Sequence, residues 1–203
     1  SKGASTWDDH GDLKILGDSN PHYFYGIDLT ANYKGFDFRC FLQGVLKHDF
    51  WPGGSSYFWG VRGGYSKWYT IGLEQHNNYF RDQPIGLAGY ELPVNLDSYY
   101  PRPITSPDSG GSSFGAKNQQ TQSRYMQNAG YMRLKNLQLG YSLPKSVVEK
   151  VGISNCRVFV SGENLLTFTS LSSIFDPETC VGGWGGNAYP LSSTWSFGLS
   201  VTF

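Results

Sequence analysis

The chain has 203 residues, balanced at 16 basic and 16 acidic side chains, with only 16% charged residues, 16% aromatics and 26 glycines. The zero net charge leaves no basic footprint for nucleic acid, and abundant Tyr, Trp, Phe and Gly favour strands and turns over helices. No run of about 18 apolar residues exists to form a transmembrane helix, but a barrel strand needs only about 9–11 residues with every second one apolar, so a membrane is not excluded.

The opening SKGASTWDDHGD resembles neither a targeting segment nor an anchor; an export signal, if there is one, is expected upstream. Within it, DDHGD (Asp8–Asp12) looks like a worn calcium loop, with oxygen ligands near Asp8 and Asp12 but with His10 and Gly11 out of place for an EF-hand. A solvated acidic loop is the plainer expectation, with no cofactor.

From Tyr25 to Tyr33 the odd positions are Tyr, Ile, Leu, Ala and Tyr, and the even ones Gly, Asp, Thr and Asn. That is a two-residue period with one apolar and one polar face. From Phe36 onward the even positions carry Phe36, Phe38, Cys40, Leu42 and Leu46. Lys34-Gly35 between the runs predicts a two-residue hairpin turn that places Tyr33 opposite Phe36.

The stretch Asp49–Ser123 is too long for a structureless loop and is expected to hold a small helix or hairpin around Tyr57–Gln75. A third strand is predicted over Gly130–Leu143, with Leu137, Leu139 and Tyr141 on one face. Arg133 and Lys135 break that parity, which predicts either a bulge or an end that stands clear of the membrane. A short helix opened by Pro144 follows, to Lys150. A fourth strand spans about Cys156–Phe168, although Phe159 and Leu165 intrude on its polar face. The last strand, Thr194–Phe203, alternates large apolar and small polar residues without a break.

Connections alternate in length: Lys34-Gly35 and 144–155 are short, 49–123 and 169–193 long. Short turns on one side and long loops on the other is the habit of outer-membrane barrels, with the long loops outside the cell. The fold class expected is therefore all-β: the C-terminal strands of a large antiparallel transmembrane β-barrel with long extracellular loops.

Several motifs in series carry a resemblance. YKGFDFRCFLQGV (Tyr33–Val45) and its approach GDSNPHYFYGIDL (Gly17–Leu29), YMRLKNLQLGYSLP (Tyr131–Pro144), RVFVSGENLLTFT (Arg157–Thr169), FDPE (Phe175–Glu178) and YPLSSTWSFGLSVTF (Tyr189–Phe203) resemble segments of SusC/RagA-type TonB-linked outer-membrane proteins, in the same order. The resemblance implies a barrel of about 22 strands around a plug, importing oligosaccharides or peptides beneath a SusD-like surface lipoprotein. Energy would come from the TonB–ExbB–ExbD complex acting through a plug that this chain lacks. Residues 1–203 would then be the C-terminal segment of a longer polypeptide, in the outer membrane of a Gram-negative cell. The terminal strand ending on Phe203 resembles the signal read by the barrel-insertion machinery.

Candidate site residues follow from that reading. Asp28, Asp37, Arg39 and Glu163 are expected to face the lumen, paired across the wall or touching substrate or plug. Among the loop aromatics, Trp51, Tyr57, Trp59, Trp68 and Trp184 are candidate substrate contacts, because flat rings stack on sugars and peptide side chains; packing within the loops or a lid contact would use the same rings. Tyr33, Phe36, Tyr141 and Phe203 suit the interfacial girdle. Cys40, Cys156 and Cys180 have no metal or redox spacing, and the scattered histidines assemble no catalytic site, so no enzyme is expected. A soluble carbohydrate-binding β-sandwich would share this composition but pack its aromatic rows against a second sheet. An iron-chelate receptor would share the barrel without the lid.

Overall fold

The computed structural model describes residues 6, 8–11, 13–53, 55–60, 72–87, 89–103, 120–181 and 188–203. It divides into two compact units, one built of 1–50, 127–180 and 189–203, the other of 51–126 and 181–188.

The first unit is a five-stranded antiparallel sheet. Its strands are β1 (His22–Tyr33), β2 (Phe36–Lys47), β7 (Tyr131–Ser142), β8 (Asn155–Thr169) and β9 (Thr194–Thr202), in that spatial order. Lys34 and Gly35 both adopt positive φ, 45° and 87°, the two-residue turn whose twist suits a hairpin. The register that follows sets Tyr33 opposite Phe36, Leu29 opposite Cys40, and Thr30 opposite Arg39. Between β7 and β8, Pro144 precedes α2 (Lys145–Val148), and a further 3-10 turn ends at Gly152 in the left-handed conformation. Two short strands, β3 (Asp49–Phe50) and β6 (Gln127–Asn128), pair where the long connection leaves and rejoins this unit.

Register propagates the two faces across all five strands. Leu29, Cys40 and Leu137 are successive partners, as are Leu139, Val160 and Phe197, so one face stays apolar. Arg39, Gln138, Ser161 and Ser196 run across the other. Among the described residues no layer covers the apolar rows of β1 and β9: Leu29 is 52% exposed, Leu199 65% and Phe197 84%. Burying apolar surface stabilises by about 25 cal/mol per Å², so such rows call for a partner phase that the sheet does not supply. The aromatic rows of the sandwich alternative would be covered, and these are not. All three cysteines are free thiols.

The broken parity of the third predicted strand is a bulge. Between Phe41 and Leu42 of β2, the partner on β7 steps from Asn136 to Leu134, leaving Lys135 as the extra residue. Beyond it Arg133 lies opposite Gln43 and Thr167, on the polar face. β8 matches this offset near Asn164, a non-glycine residue at φ 52°.

The second unit holds α1 (Ser56–Trp59), a 3-10 turn at Glu74–Asn77, and a small hairpin of β4 (Ile85–Leu87) and β5 (Tyr90–Leu92). The helical turns touch both ends of the predicted window, whose middle, 61–71, lies outside the described residues; the hairpin falls later than expected. Phe58, Trp59, Tyr100 and Tyr125 form its buried core.

Candidate functional site

The polar face is a ladder of charge pairs. Arg39 grips Asp28 with two parallel bonds, Nε to Oδ1 at 3.1 Å and Nη2 to Oδ2 at 2.6 Å. Arg157 grips Asp37 the same way, at 2.8 and 2.5 Å. Two-pronged geometry of this kind is the strong form of the Arg–carboxylate pair. The second pair joins β2 to β8 across the intervening β7, and it does so over Gly140, where any Cβ would meet both side chains. The Arg157 guanidinium also stands 4.8 Å from the Phe159 ring centroid. The far end of that ring lies over Gly198 on β9, occupying the space a side chain there would need. Phe159, which intrudes on the alternation, thus roofs a glycine on the polar face. Glu163, opposite Asn136 and Thr194, is exposed on the same face.

At the end of the sheet nearer the long connections the polar face carries a denser cluster. Arg133 donates from Nε to Thr167 Oγ1 at 2.8 Å and from Nη2 to Asp176 Oδ2 at 2.6 Å. Its Nη1 lies 3.0 Å from Glu178 Oε1, an ion pair without hydrogen-bond alignment. Lys135 Nζ donates to both oxygens of Glu178, at 2.9 and 3.2 Å. Nearby, outside the strands, His48 is buried with its Nε2 unpartnered. Burial pushes its imidazole below the ordinary histidine value, against the opposing influence of the Ser19 backbone and the Asp49 charge.

In the second unit the aromatics pack edge to face. Phe58 and Trp59 stand 5.0 Å apart, and Trp59 and Tyr125 4.9 Å. Trp59 Nε1 donates to the Pro52 carbonyl at 3.1 Å. Burial raises the Tyr100 and Tyr125 phenols above their ordinary value, so both remain neutral donors. An open cleft of 400 Å³ is walled by Phe80, Tyr100, Arg102, Arg124 and Tyr125. Arg102 is paired there with Asp82 at 2.6 Å, and Arg124 donates to the Tyr99 and Ser98 carbonyls.

No protein-family model matches the chain. It is 30% identical over 203 residues to TonB-dependent receptor P3 of Formosa agariphila, covering 95% of this chain and 17% of that protein. It is 26% identical over 220 residues to TonB-dependent receptor P26 of the same organism, covering 99% of this chain and 20% of the relative. In fold it matches the RagAB peptide transporter with a TM-score of 0.62 at 24% identity. The RagAB peptide importer in its closed-closed state gives 0.60 at 22% identity, over 94% of this chain and 18% of that one. The chain is similar to a segment of a SusC/RagA-type TonB-dependent transporter.

The chain thus spans about a fifth or less of the TonB-dependent receptors it matches. Within that segment Asp28, Asp37, Arg39 and Glu163 share one face, and three of the four are locked in cross-strand pairs. The loop aromatics separate by role. Trp59 is 7% exposed, its ring taken up by packing; Trp51 is half-buried, and Tyr57 stands 44% exposed. Trp68, Trp184 and Asp12 lie outside the described residues, while Asp8 and Phe203 are exposed. Two features escaped the reading of the sequence: the Arg133 cluster and the cleft of the second unit. The FDPE motif pointed at the first without naming its partner on β7. The run SYYPRP (Ser98–Pro103) was the available signal for the second, since four of its residues line the cleft.

Proposed function

We propose that this chain is a wall-and-loop segment of an outer-membrane β-barrel of about 22 strands, and that the polypeptide carrying it imports oligosaccharides or peptides. In this reading the apolar rows face lipid and the ion-paired rows face a plugged, watery passage. Closure of the full barrel gives β1 and β9 their missing neighbours, since an open sheet edge is not viable in hydrocarbon. The hairpin turn at Lys34-Gly35 and the α2 connection lie on the periplasmic side, and both long connections lie outside the cell. A SusD-like lipoprotein covers the outer mouth. TonB–ExbB–ExbD supplies energy through a plug carried elsewhere in the polypeptide.

The observation that carries the proposal is the two-faced sheet: one face apolar and bearing exposed large side chains on every strand, the other polar and cross-linked by charge. Likeness to TonB-dependent receptors in sequence supports the energy source, and likeness to a peptide importer in fold supports peptide as a substrate class. No observation here favours an enzyme or an iron-chelate receptor.

The test is uptake by the native organism with the gene for the complete polypeptide deleted and restored. Labelled oligosaccharide and peptide mixtures are supplied with and without a protonophore. The expected result is loss of energy-dependent uptake of one of the two classes, recovered on restoration. Unchanged uptake of both overturns the importer reading.

A further inference from the structure

The connection leaving β8 does not stay at the surface, as loops ordinarily do. Leu171, Phe175 and Cys180 are buried, and Phe175 meets Phe50 edge to face at 5.1 Å. Asp176 and Glu178 from this connection reach Arg133 and Lys135 of β7 on the polar face. The Arg133 side chain is 3% exposed and that of Asp176 6%. Two cations and two carboxylates make the network neutral in itself, so it leaves no charge for a ligand to satisfy. Asp176 also ties down backbone on both sides: Oδ1 accepts from Glu178 N at 2.9 Å, and Oδ2 from Leu191 N at 3.2 Å. Taking away Arg133 strands the buried Asp176 carboxylate without its counter-ion, which is strongly destabilising. A segment meant to swing open would carry weaker and wetter contacts.

We propose that Arg133, Lys135, Asp176 and Glu178 form a permanent latch that holds Leu171–Cys180 as a fixed ledge on the inner face of the wall, past which substrate moves without the latch opening. This rests on the reading of the chain as part of a transporter wall. The bulge at Lys135 is what makes the latch possible, because it brings Arg133 round to the inner face.

The test uses the full-length polypeptide in its own outer membrane and, purified, in detergent. In the purified protein, amide exchange across Leu171–Cys180 is expected to be at least about tenfold faster in Arg133→Ala than in the native chain, with β1 and β2 unchanged. If Arg133→Ala does not reach the membrane, Arg133→Lys, which keeps the charge and loses the fork, takes its place with the same readout. In cells, Arg133→Cys/Asp176→Cys is expected to lose uptake and to regain it when a short bis-thiosulfonate reagent bridges the two thiols, then lose it again on reduction. Uptake that is blocked by the bridge and released by reductant overturns the proposal, since the latch would then be a gate. Native-like exchange in the Arg133 variants overturns it as well. Exchange and uptake separate the two readings: failure of the native polypeptide to import anything counts against the function proposed above, while the exchange data still decide whether the ledge is fixed.

Discussion

Gly198 and Phe159 show how single positions hold the polar face. The ring lies where a Cβ on residue 198 would stand, so Gly198→Ala forces the ring off its rotamer at a cost of about 1–3 kcal/mol. Adding Phe159→Ala removes the clash, and thermal unfolding of the purified barrel should show the double variant less destabilised than the sum of the singles. The two faces differ just as sharply. Leu139 is exposed on the apolar row and Gln138 sits beside it on the polar one. Leu139→Arg should cost about 2–4 kcal/mol if that row meets hydrocarbon, while Gln138→Arg should be nearly neutral; the amount of heat-modifiable barrel in outer-membrane fractions reads both. His48 gives a dependence on pH. Its imidazole is held below the ordinary value by burial, so the unfolded state binds the proton more readily, and stability is lost as pH falls. The His48 carbonyl accepts from the Ala129 amide at 2.7 Å. Protection of that amide should therefore decline from about pH 7 to about pH 5, and the decline should disappear in His48→Gln.

Among the elements, β7 decides most. Were Lys135 paired in regular alternation, without the bulge, Arg133 would fall on the apolar row and the latch would be lost. Inserting one alanine between Arg133 and Leu134, which reverses the parity of Arg133, should therefore abolish assembled barrel, whereas one alanine inserted in the exposed Pro144–Lys145 stretch should leave some. Much of this sheet was legible in the sequence, because strict two-residue alternation and a Lys-Gly turn are local signals: β1, β2 and β9 fall where the pattern puts them. The parity break at Arg133 and Lys135 was visible, but alternation alone did not choose between a bulge and a projecting end. The choice is made by Asp176, 43 residues away from Arg133, and no local pattern records a partner at that distance. The loop unit was the least legible for a related reason. Its rings pack on one another without periodicity, so the buried Trp59 and the exposed Tyr57 look alike in the sequence. Trp59 departs from the open stacking surface a substrate contact needs; Trp51 and Tyr57 keep accessible area.

For the molecule as a whole, what matters is which medium each face of the sheet meets. Single cysteines bearing spin labels at positions 196, 197, 199, 200 and 201 of β9, in the full-length polypeptide with its native cysteines replaced, sample both faces in turn; Gly198 is left alone because the Phe159 ring fills the space of a side chain there. Reconstituted in lipid bilayers, the labels at 197, 199 and 201 should be relaxed most by oxygen dissolved in the hydrocarbon, and those at 196 and 200 by a water-soluble nickel complex, giving a two-residue oscillation with the two reagents out of phase. Accessibility to both reagents that is uniform along the strand, or labels at 197 and 199 shielded from both, would contradict a sheet standing between lipid and a watery interior.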